Sequence, residues 1–200
     1  MKIFNTIGYN YSELSEDAKE NVKNWYLFDL DIHNELFYED IKMYLSEEFP
    51  DSDLQVCYSL ASCQGDGLNI YGKLNLYDFL DKWKQDEKTK RTLKFYIDNS
   101  MYYYTFEKNN RYCYSCKFID EKYIPDTMSE FIEELQHQCI KNIKTDLIRA
   151  FFNDMINYFE KLDRDFEKEG YNYLYNVDEE EMEDFCNIND YYFTETGTII

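Results

Sequence analysis

A β-hairpin is encoded in the centre of the chain, where residues 54–74 read LQVCYSLASCQGDGLNIYGKL. Apolar side chains occupy every second position from Leu54 to Leu60, which is the period of a strand with one buried face. Glycines on both sides of Asp66 supply a turn, and a partner strand is expected from Leu68 to Leu74. The hairpin indicates an antiparallel sheet at the centre of the fold.

Further strands are predicted on the C-terminal side of the hairpin. Aromatic and β-branched residues fill segments 93–97, 101–106 and 111–118, and Asn, Asp and Ser separate these segments as turn residues do. The last ten residues, 191–200, have the same aromatic and β-branched character and predict a final strand. From these six segments, an antiparallel sheet of four to five strands is expected.

Helices are predicted on both sides of this sheet. Ser15 offers an N-cap to a first helix, and a second helix is expected over residues 33–48. Residues 77–90 predict a short charged helix, and apolar residues at helical spacing from Ser129 predict a long helix that contains a break. A helix over residues 177–185 lies in an acidic C-terminal segment. These elements predict one α+β domain over residues 1–200.

Composition limits the class of protein. With 200 residues, of which 44% are hydrophobic, the chain can bury a core without disulfides. It has no run of eighteen apolar residues and no signal-peptide pattern at its N-terminus, so we expect a soluble protein with no membrane association. Its six cysteines lack the dense spacing of a disulfide framework, which favours a reducing cytoplasm.

The charge is large and lies at the two ends of the chain. The net charge is -20, of which residues 1–54 contribute -9 and residues 171–200 contribute -8. Residues 55–125 carry +2, and residues 126–170 carry -5. Because affinity for nucleic acid comes largely from cations that displace counterions, direct nucleic-acid binding is not expected.

Catalytic and metal-binding patterns are few. Cys113 and Cys116 have the spacing of a zinc half-site, but the chain offers no second pair, and in a strand the two side chains point to opposite faces. The two histidines, His33 and His137, lie in helical segments, and Cys139 is too close to His137 in sequence to face it. No phosphate-binding loop, nucleophile elbow or zinc-protease motif is present. We therefore expect no metal, no cofactor and no catalytic residue.

The turn of the hairpin holds the most individual sequence in the chain, namely Gln64, Gly65, Asp66 and Gly67. A tight turn accounts for these residues more simply than a ligand loop, so we interpret them chiefly as a fold device. The sequence also resembles a family of small phage- and plasmid-borne proteins with a Ser-Gln-Gly-Asp-Gly core on a hairpin, often labelled antitoxins of toxin-antitoxin stability systems. The similarity extends to residues 13–19 and 193–197, although Cys63 here separates the serine from the glutamine. It implies an origin in a mobile genetic element.

Mobile-element character and acidity together predict an inhibitor of a host defence system that targets nucleic acid, of the anti-CRISPR or anti-restriction type. Its carboxylates would occupy a basic groove where the host effector expects phosphates. The predicted partner-binding residues, which combine charge with aromatic anchors, are Asp178, Glu179, Glu180, Glu181, Glu183, Asp184, Tyr171, Tyr173 and Tyr175. Two alternatives stay open: an antitoxin that neutralises a basic toxin, and a small enzyme that acts on a nucleotide signal.

Overall fold

The computed structural model of the protein describes residues 7–29, 32–61, 66–108 and 123–200. In chain order, the helices and strands within these ranges are α1 (Glu16–Asn24), α2 (Ile32–Glu48), β1 (Asp53–Ser59), β2 (Gly67–Asn75), α3 (Leu76–Lys82), α4 (Glu87–Asp98), β3 (Tyr103–Phe106), α5 (Tyr123–His137), α6 (Thr145–Tyr175) and α7 (Glu179–Ile188). A short 3-10 helix, Tyr11–Glu13, precedes α1, and a π-helical turn, Trp25–Asp29, follows it. The predicted α+β class is confirmed.

The sheet of the described residues has three strands in the order β1-β2-β3, and both neighbouring pairs are antiparallel. The hairpin prediction is confirmed, since Val56 pairs with Ile70 and Leu54 pairs with Gly72. Gly72 has a φ of 114°, and a Cβ there would lie 2.2 Å from the carbonyl oxygen of Asp53. Only glycine fits this close approach of two strands.

The prediction of four to five strands is wrong for the part of the chain that the structure describes. The strand predicted over residues 93–97 is the end of α4, and the single helix predicted over residues 77–90 is replaced by α3 and α4. Asp86 fixes the start of α4, because its carboxylate accepts two backbone N–H hydrogen bonds from the first turn, each at 3.0 Å. Leu93 and Ile97, four residues apart, then share the buried face of the helix.

The remaining predicted strands have different outcomes. The segment 101–106 is confirmed as β3, which is two residues shorter, whereas the segment 111–118 lies outside the described residues. The final strand predicted over residues 191–200 is wrong. Phe193 makes single bridges to Tyr9 and to Ile199, and a turn between these bridges folds the end of the chain back on itself. Neither arm is long enough to form a ladder.

The long helix predicted from Ser129 is confirmed as two helices, α5 and α6, which are separated by residues 138–144. Phe131 of α5 and Phe152 of α6 are buried, and their rings meet edge to face with centroids 5.5 Å apart. Along the described ranges, no helix is both long enough and apolar enough to cross a lipid bilayer.

The chain divides into two compact units, which we call the terminal unit (Met1–Phe37 with Gly170–Ile200) and the central unit (Tyr38–Glu169). The terminal unit has its own core, which consists of Tyr11, Leu14, Ala18, Val22, Met182, Cys186 and Phe193. The central unit contains the sheet and the helices α3, α4 and α5. A single folding domain over residues 1–200 stays a prediction.

Candidate functional site

Helix α7 presents carboxylates on every face that its core contacts leave free. Met182 and Cys186, four residues apart, are buried and hold one face of the helix against the core of the terminal unit. The carboxylates of the other faces are exposed or, at Glu183, half-buried. The predicted helix over residues 177–185 is thereby confirmed, and its acids are available to a partner.

Asp178 has a structural role that the sequence analysis did not assign. It is the N-cap of α7, and its carboxylate accepts hydrogen bonds from the backbone N–H groups of Glu180 at 2.9 Å and Glu181 at 3.3 Å. Three glutamates occupy the first turn of α7, where the helix dipole favours negative charge. The most acidic segment of the chain is therefore also a favourable helix start.

Helix α1 brings the acids of the N-terminal segment into the same unit. Ala18 and Val22 are buried, so Glu16, Asp17 and Glu20 are left exposed on the outer faces of the helix. Ser15 caps α1 as predicted, with its hydroxyl oxygen accepting from the N–H of Ala18 at 3.4 Å. This surface continues the acidic character of α7.

Tyr11 lies in the core that α1 and α7 share, and carboxylates of both helices act on its ring. Its side chain is only 4% exposed, and burial raises its pKa to about 12. The charges of Glu179, Glu16 and Glu183 raise this pKa further, so acids from both helices act on one ring. We call this set of carboxylates, from residues 13–20 and 178–184, the acidic surface.

The terminal unit carries most of the net charge. It contains 3 lysines and 15 acidic residues, a net of -12, while the whole chain carries -20. Burial raises the pKa of Tyr26, and the charge of Glu181 raises it further. Burial likewise raises the pKa of Cys186 to about 11, with a smaller contribution from Glu183. Negative charge therefore dominates the surface of this unit, whereas the buried thiol of Cys186 stays neutral.

The predicted tyrosines lie at the end of α6, inside the terminal unit. The ring of Tyr173 is 40% exposed and stacks on Phe37 with centroids 5.9 Å apart. The half-buried rings of Tyr171 and Tyr175 stack on each other at the same distance. Tyr173 is the best placed of the three to contact a partner, since large exposed aromatics serve as interface anchors.

Ile188 is an apolar residue that the sequence analysis missed. It ends α7 and is 81% exposed. The sequence spacing could have predicted this exposure. Positions 182 and 186 define the buried face of α7, and position 188 does not lie on that face. An exposed isoleucine beside a row of acids adds an apolar contact to the acidic surface.

No model of a known protein family matches this chain. No curated protein and no solved structure matches it either. The functional inferences therefore depend on the geometry of the molecule itself.

The predicted motif loop is described only from Asp66 onward, and Gln64 and Gly65 lie outside the described residues. Asp66 is half-buried and accepts a hydrogen bond from the hydroxyl of Ser59 at 3.1 Å, which joins the two strands at the turn end of the hairpin. Gly67 begins β2 opposite Ser59. The interpretation of this loop as chiefly a fold device stays a prediction.

A second carboxyl lies beside this hairpin and was also missed. Asp163 of α6 is 4% exposed, and its Oδ1 accepts from the N–H of Ile70 at 2.9 Å. Burial raises its pKa to about 7, and Glu160 adds to the rise, while the hydrogen bonds from Ile70 and Asn69 and the charge of Arg164 oppose it. The sequence held a signal, since position 163 belongs to the buried stripe between Phe159 and Phe166.

The other candidates are not brought together. Cys113 and Cys116 lie outside the described residues, as does the side chain of His33. His137 and Cys139 are exposed at the end of α5. In the described part of the chain, no three Asp, Glu, His or Cys side chains are grouped so that they could hold a metal ion.

Proposed function

We propose that this protein inhibits a host defence protein that targets nucleic acid, and that its acidic surface occupies the basic groove of that effector. The observation that carries the proposal is the common core of the terminal unit, in which Ala18 and Val22 of α1 pack with Met182 and Cys186 of α7. The acidic segments that contain α1 and α7 are thus held together in one unit. A groove that accepts a nucleic-acid backbone needs such a concentration of charge.

The amount of charge suits a short segment of duplex. Duplex DNA carries one negative charge per ~1.7 Å of its axis, so the net charge of -12 on the terminal unit corresponds to roughly 20 Å of axis, or six base pairs. Tyr173 and Ile188 supply exposed apolar contacts near the carboxylates. Such contacts slow dissociation, whereas exposed charges chiefly accelerate association.

The proposal includes the context in which the protein works. The resemblance of the hairpin motif to proteins of phages and plasmids supports a mobile-element origin, and the effector would be met in the cytoplasm of the host cell. The protein acts by contact with the effector, without a cofactor, without catalysis and without binding nucleic acid itself.

The experiment compares two variants that remove the same amount of charge from different units. In the first, the acids of α7 are replaced: Asp178→Asn, Glu179→Gln, Glu180→Gln, Glu181→Gln, Glu183→Gln and Asp184→Asn. In the control, six exposed acids of the central unit are replaced: Asp40→Asn, Glu47→Gln, Asp81→Asn, Glu87→Gln, Glu133→Gln and Glu169→Gln. Both sets contain two aspartates and four glutamates, so their net charges are identical.

Association with a panel of purified guided nucleases and restriction enzymes is measured at several salt concentrations, with and without competing DNA. We expect the α7 variant to associate roughly tenfold more slowly than the parent at low salt and the control to stay close to the parent, because steering depends on charge near the contact. Equal rates for the two variants, or joint binding of protein and DNA by the effector, would rule out groove occupation. Binding to a small basic toxin but to no effector would favour the antitoxin alternative.

A further inference from the structure

The central unit contains a cavity of about 600 Å³ beside the sheet, lined by side chains of β2, β3, α5 and α6. This volume lies within the range of roughly 300–1,000 Å³ that is usual for small-molecule sites. Its walls include the packed rings of Phe106 and Phe159, whose centroids are 4.6 Å apart, and Tyr103, which is 52% exposed. An apolar wall with a few polar groups is typical of a binding pocket.

Four of the residues that line the cavity carry carboxyl groups, alongside tyrosine and threonine hydroxyls that can also donate. The carboxyl groups of Glu107, Asp126, Glu130 and Asp163 line it, and they come from three different elements or their ends. The described residues that line it include no Lys or Arg. The nearest cation recorded for Asp163 is Arg164, which lies on the same helix and pairs with Glu160 at 3.7 Å. Among the described residues that line the cavity, no lysine or arginine would compete with a ligand that brings positive charge.

Asn69 adds an observation that does not depend on charge. Its side chain lines the cavity, and its amide nitrogen donates to the carboxyl of Asp163. Its Oδ1 is buried and accepts no hydrogen bond among the residues that the structure describes. A buried acceptor without a donor is unfavourable, so an N–H group that reached this oxygen would offset that cost.

We propose that this cavity binds a small organic cation that carries an ammonium or guanidinium group. Such a cation donates several N–H bonds at once, which matches the carboxyl-bearing residues that line the cavity. The exposed ring of Tyr103 also favours a cation, because the face of an aromatic ring is electronegative. The alternative is that Asp163 only anchors β2 through the N–H of Ile70.

Butylguanidinium is a suitable probe, and butylurea is its uncharged counterpart of nearly the same shape. Titration calorimetry on the full chain should show saturable binding of butylguanidinium, with a Kd on the order of 100 µM, and at least tenfold weaker binding of butylurea. Binding should release protons at pH 7, because a bound cation favours the ionised form of Asp163. Proton release is measured as a difference in apparent enthalpy between phosphate and Tris buffers.

Two variants and one control connect binding to the cavity. Asp163→Asn should weaken butylguanidinium binding at least tenfold and abolish proton release, and Glu130→Gln, an exposed residue of α5, should weaken binding severalfold. Asp165→Asn, an exposed aspartate of α6 outside the cavity, should leave binding unchanged. If Asp163→Asn does not fold, two other measurements test the proposal. They are the affinity of Glu130→Gln for butylguanidinium and the parent protein's difference in apparent binding enthalpy between the two buffers.

The proposal is overturned if the folded parent shows no saturation up to 10 mM probe, if butylurea binds equally well, or if Glu130→Gln binds like the parent. It is independent of the acidic surface. The variant with six neutralised acids in α7 should bind butylguanidinium as the parent does, so failure of one proposal leaves the other standing.

Discussion

Gly72 is a residue whose replacement the structure forbids on two separate grounds. Its φ of 114° is unfavourable for any residue with a side chain, and its Cα approaches the backbone of the neighbouring strand. The first atom of a side chain would lie 2.2 Å from a carbonyl oxygen of Asp53, a backbone atom that cannot move without disturbing β1. Both effects act at the same position.

We expect Gly72→Ala to lower the free energy of unfolding by about 2 kcal/mol or more, because it combines an unfavourable φ with a steric clash. Urea unfolding followed by circular dichroism measures the loss. Lys73→Ala, at the adjacent exposed position, is the control and should change stability by less than about 0.5 kcal/mol. A loss at Gly72 no larger than that at Lys73 would mean that β1 and β2 do not approach as described.

Asp163 has a consequence for stability that can be measured by pH. Its pKa is raised to about 7 by burial, whereas an aspartate in the unfolded chain titrates near its ordinary value of about 3.9. The folded state therefore holds the proton over a range of pH in which the unfolded state has released it. The stability contributed by the protonated group declines as pH rises from about 4, and the decline levels off above about 7.

We expect Asp163→Asn to gain stability relative to the parent as pH rises. The asparagine of this variant is neutral at every pH, so the difference in free energy of unfolding should shift in favour of the variant by about 2 kcal/mol between pH 5 and pH 7. Urea unfolding of both proteins at pH 5, 6, 7 and 8 measures this shift. A difference that stays constant over this range would show that Asp163 titrates normally.

At the scale of elements, the N-cap position of α7 allows the effect of helix capping to be separated from the effect of negative charge. Asp178 both contributes to the acidic surface and caps the helix through the N–H groups of Glu180 and Glu181. Asparagine caps as well as aspartate does, whereas alanine cannot accept a hydrogen bond. Two substitutions at this position therefore remove the same charge with different effects on the helix.

We expect Asp178→Ala to reduce stability by about 1 kcal/mol and Asp178→Asn to leave it nearly unchanged. Amide hydrogen exchange of residues 180 and 181 should accelerate in the alanine variant alone. Asp184→Ala, an exposed acid of the same helix that makes no cap, is the control. Equal stability of the two variants at position 178 would show that the carboxylate does not cap α7.

The elements that the sequence predicted correctly are those with a local signal. Ser15 at the start of α1 and the alternation from Leu54 to Leu60 needed no knowledge of the rest of the chain. Residues 93–97 were misassigned because their aromatic and β-branched composition outweighed Asp86, a cap that lies seven residues before them. The burial of Asp163 and the approach of α1 to α7 depend on long-range packing, which no local pattern records.

At the scale of the whole molecule, stability and charge oppose each other. Fifteen acids and three lysines share the terminal unit, and exposed like charges repel at distances within about 10 Å at 0.1 M salt. Few ion pairs offset this repulsion in the described part of that unit, where Lys19 with Glu16 is the one recorded. Such surface pairs contribute little to stability.

We therefore expect the melting temperature to rise by a few degrees between 20 mM and 500 mM NaCl, because salt screens the repulsion. The rise should be smaller in the variant with six neutralised acids in α7 than in the control with six neutralised acids in the central unit. The two variants have the same net charge. A smaller rise in melting temperature for the α7 variant would therefore show that the repulsion is concentrated in the terminal unit. The same response to salt in both would mean that the charge of the terminal unit is not a special source of instability.

The terminal unit is closed by hydrogen bonds between the two ends of the chain. Tyr9 exchanges backbone hydrogen bonds with Phe193, and Asn21 donates to the carbonyl of Thr196, a partner 175 positions away in sequence. Contacts between residues so far apart in sequence form slowly, because a long loop must close, at a cost in chain entropy, before these contacts stabilise the fold. During synthesis the ribosome releases residues 170–200 long after α1. The core of the terminal unit can therefore form around α1 only once residues 170–200 are available. Every chain that terminates before residue 170 lacks the acids of α7 and so lacks the finished acidic surface.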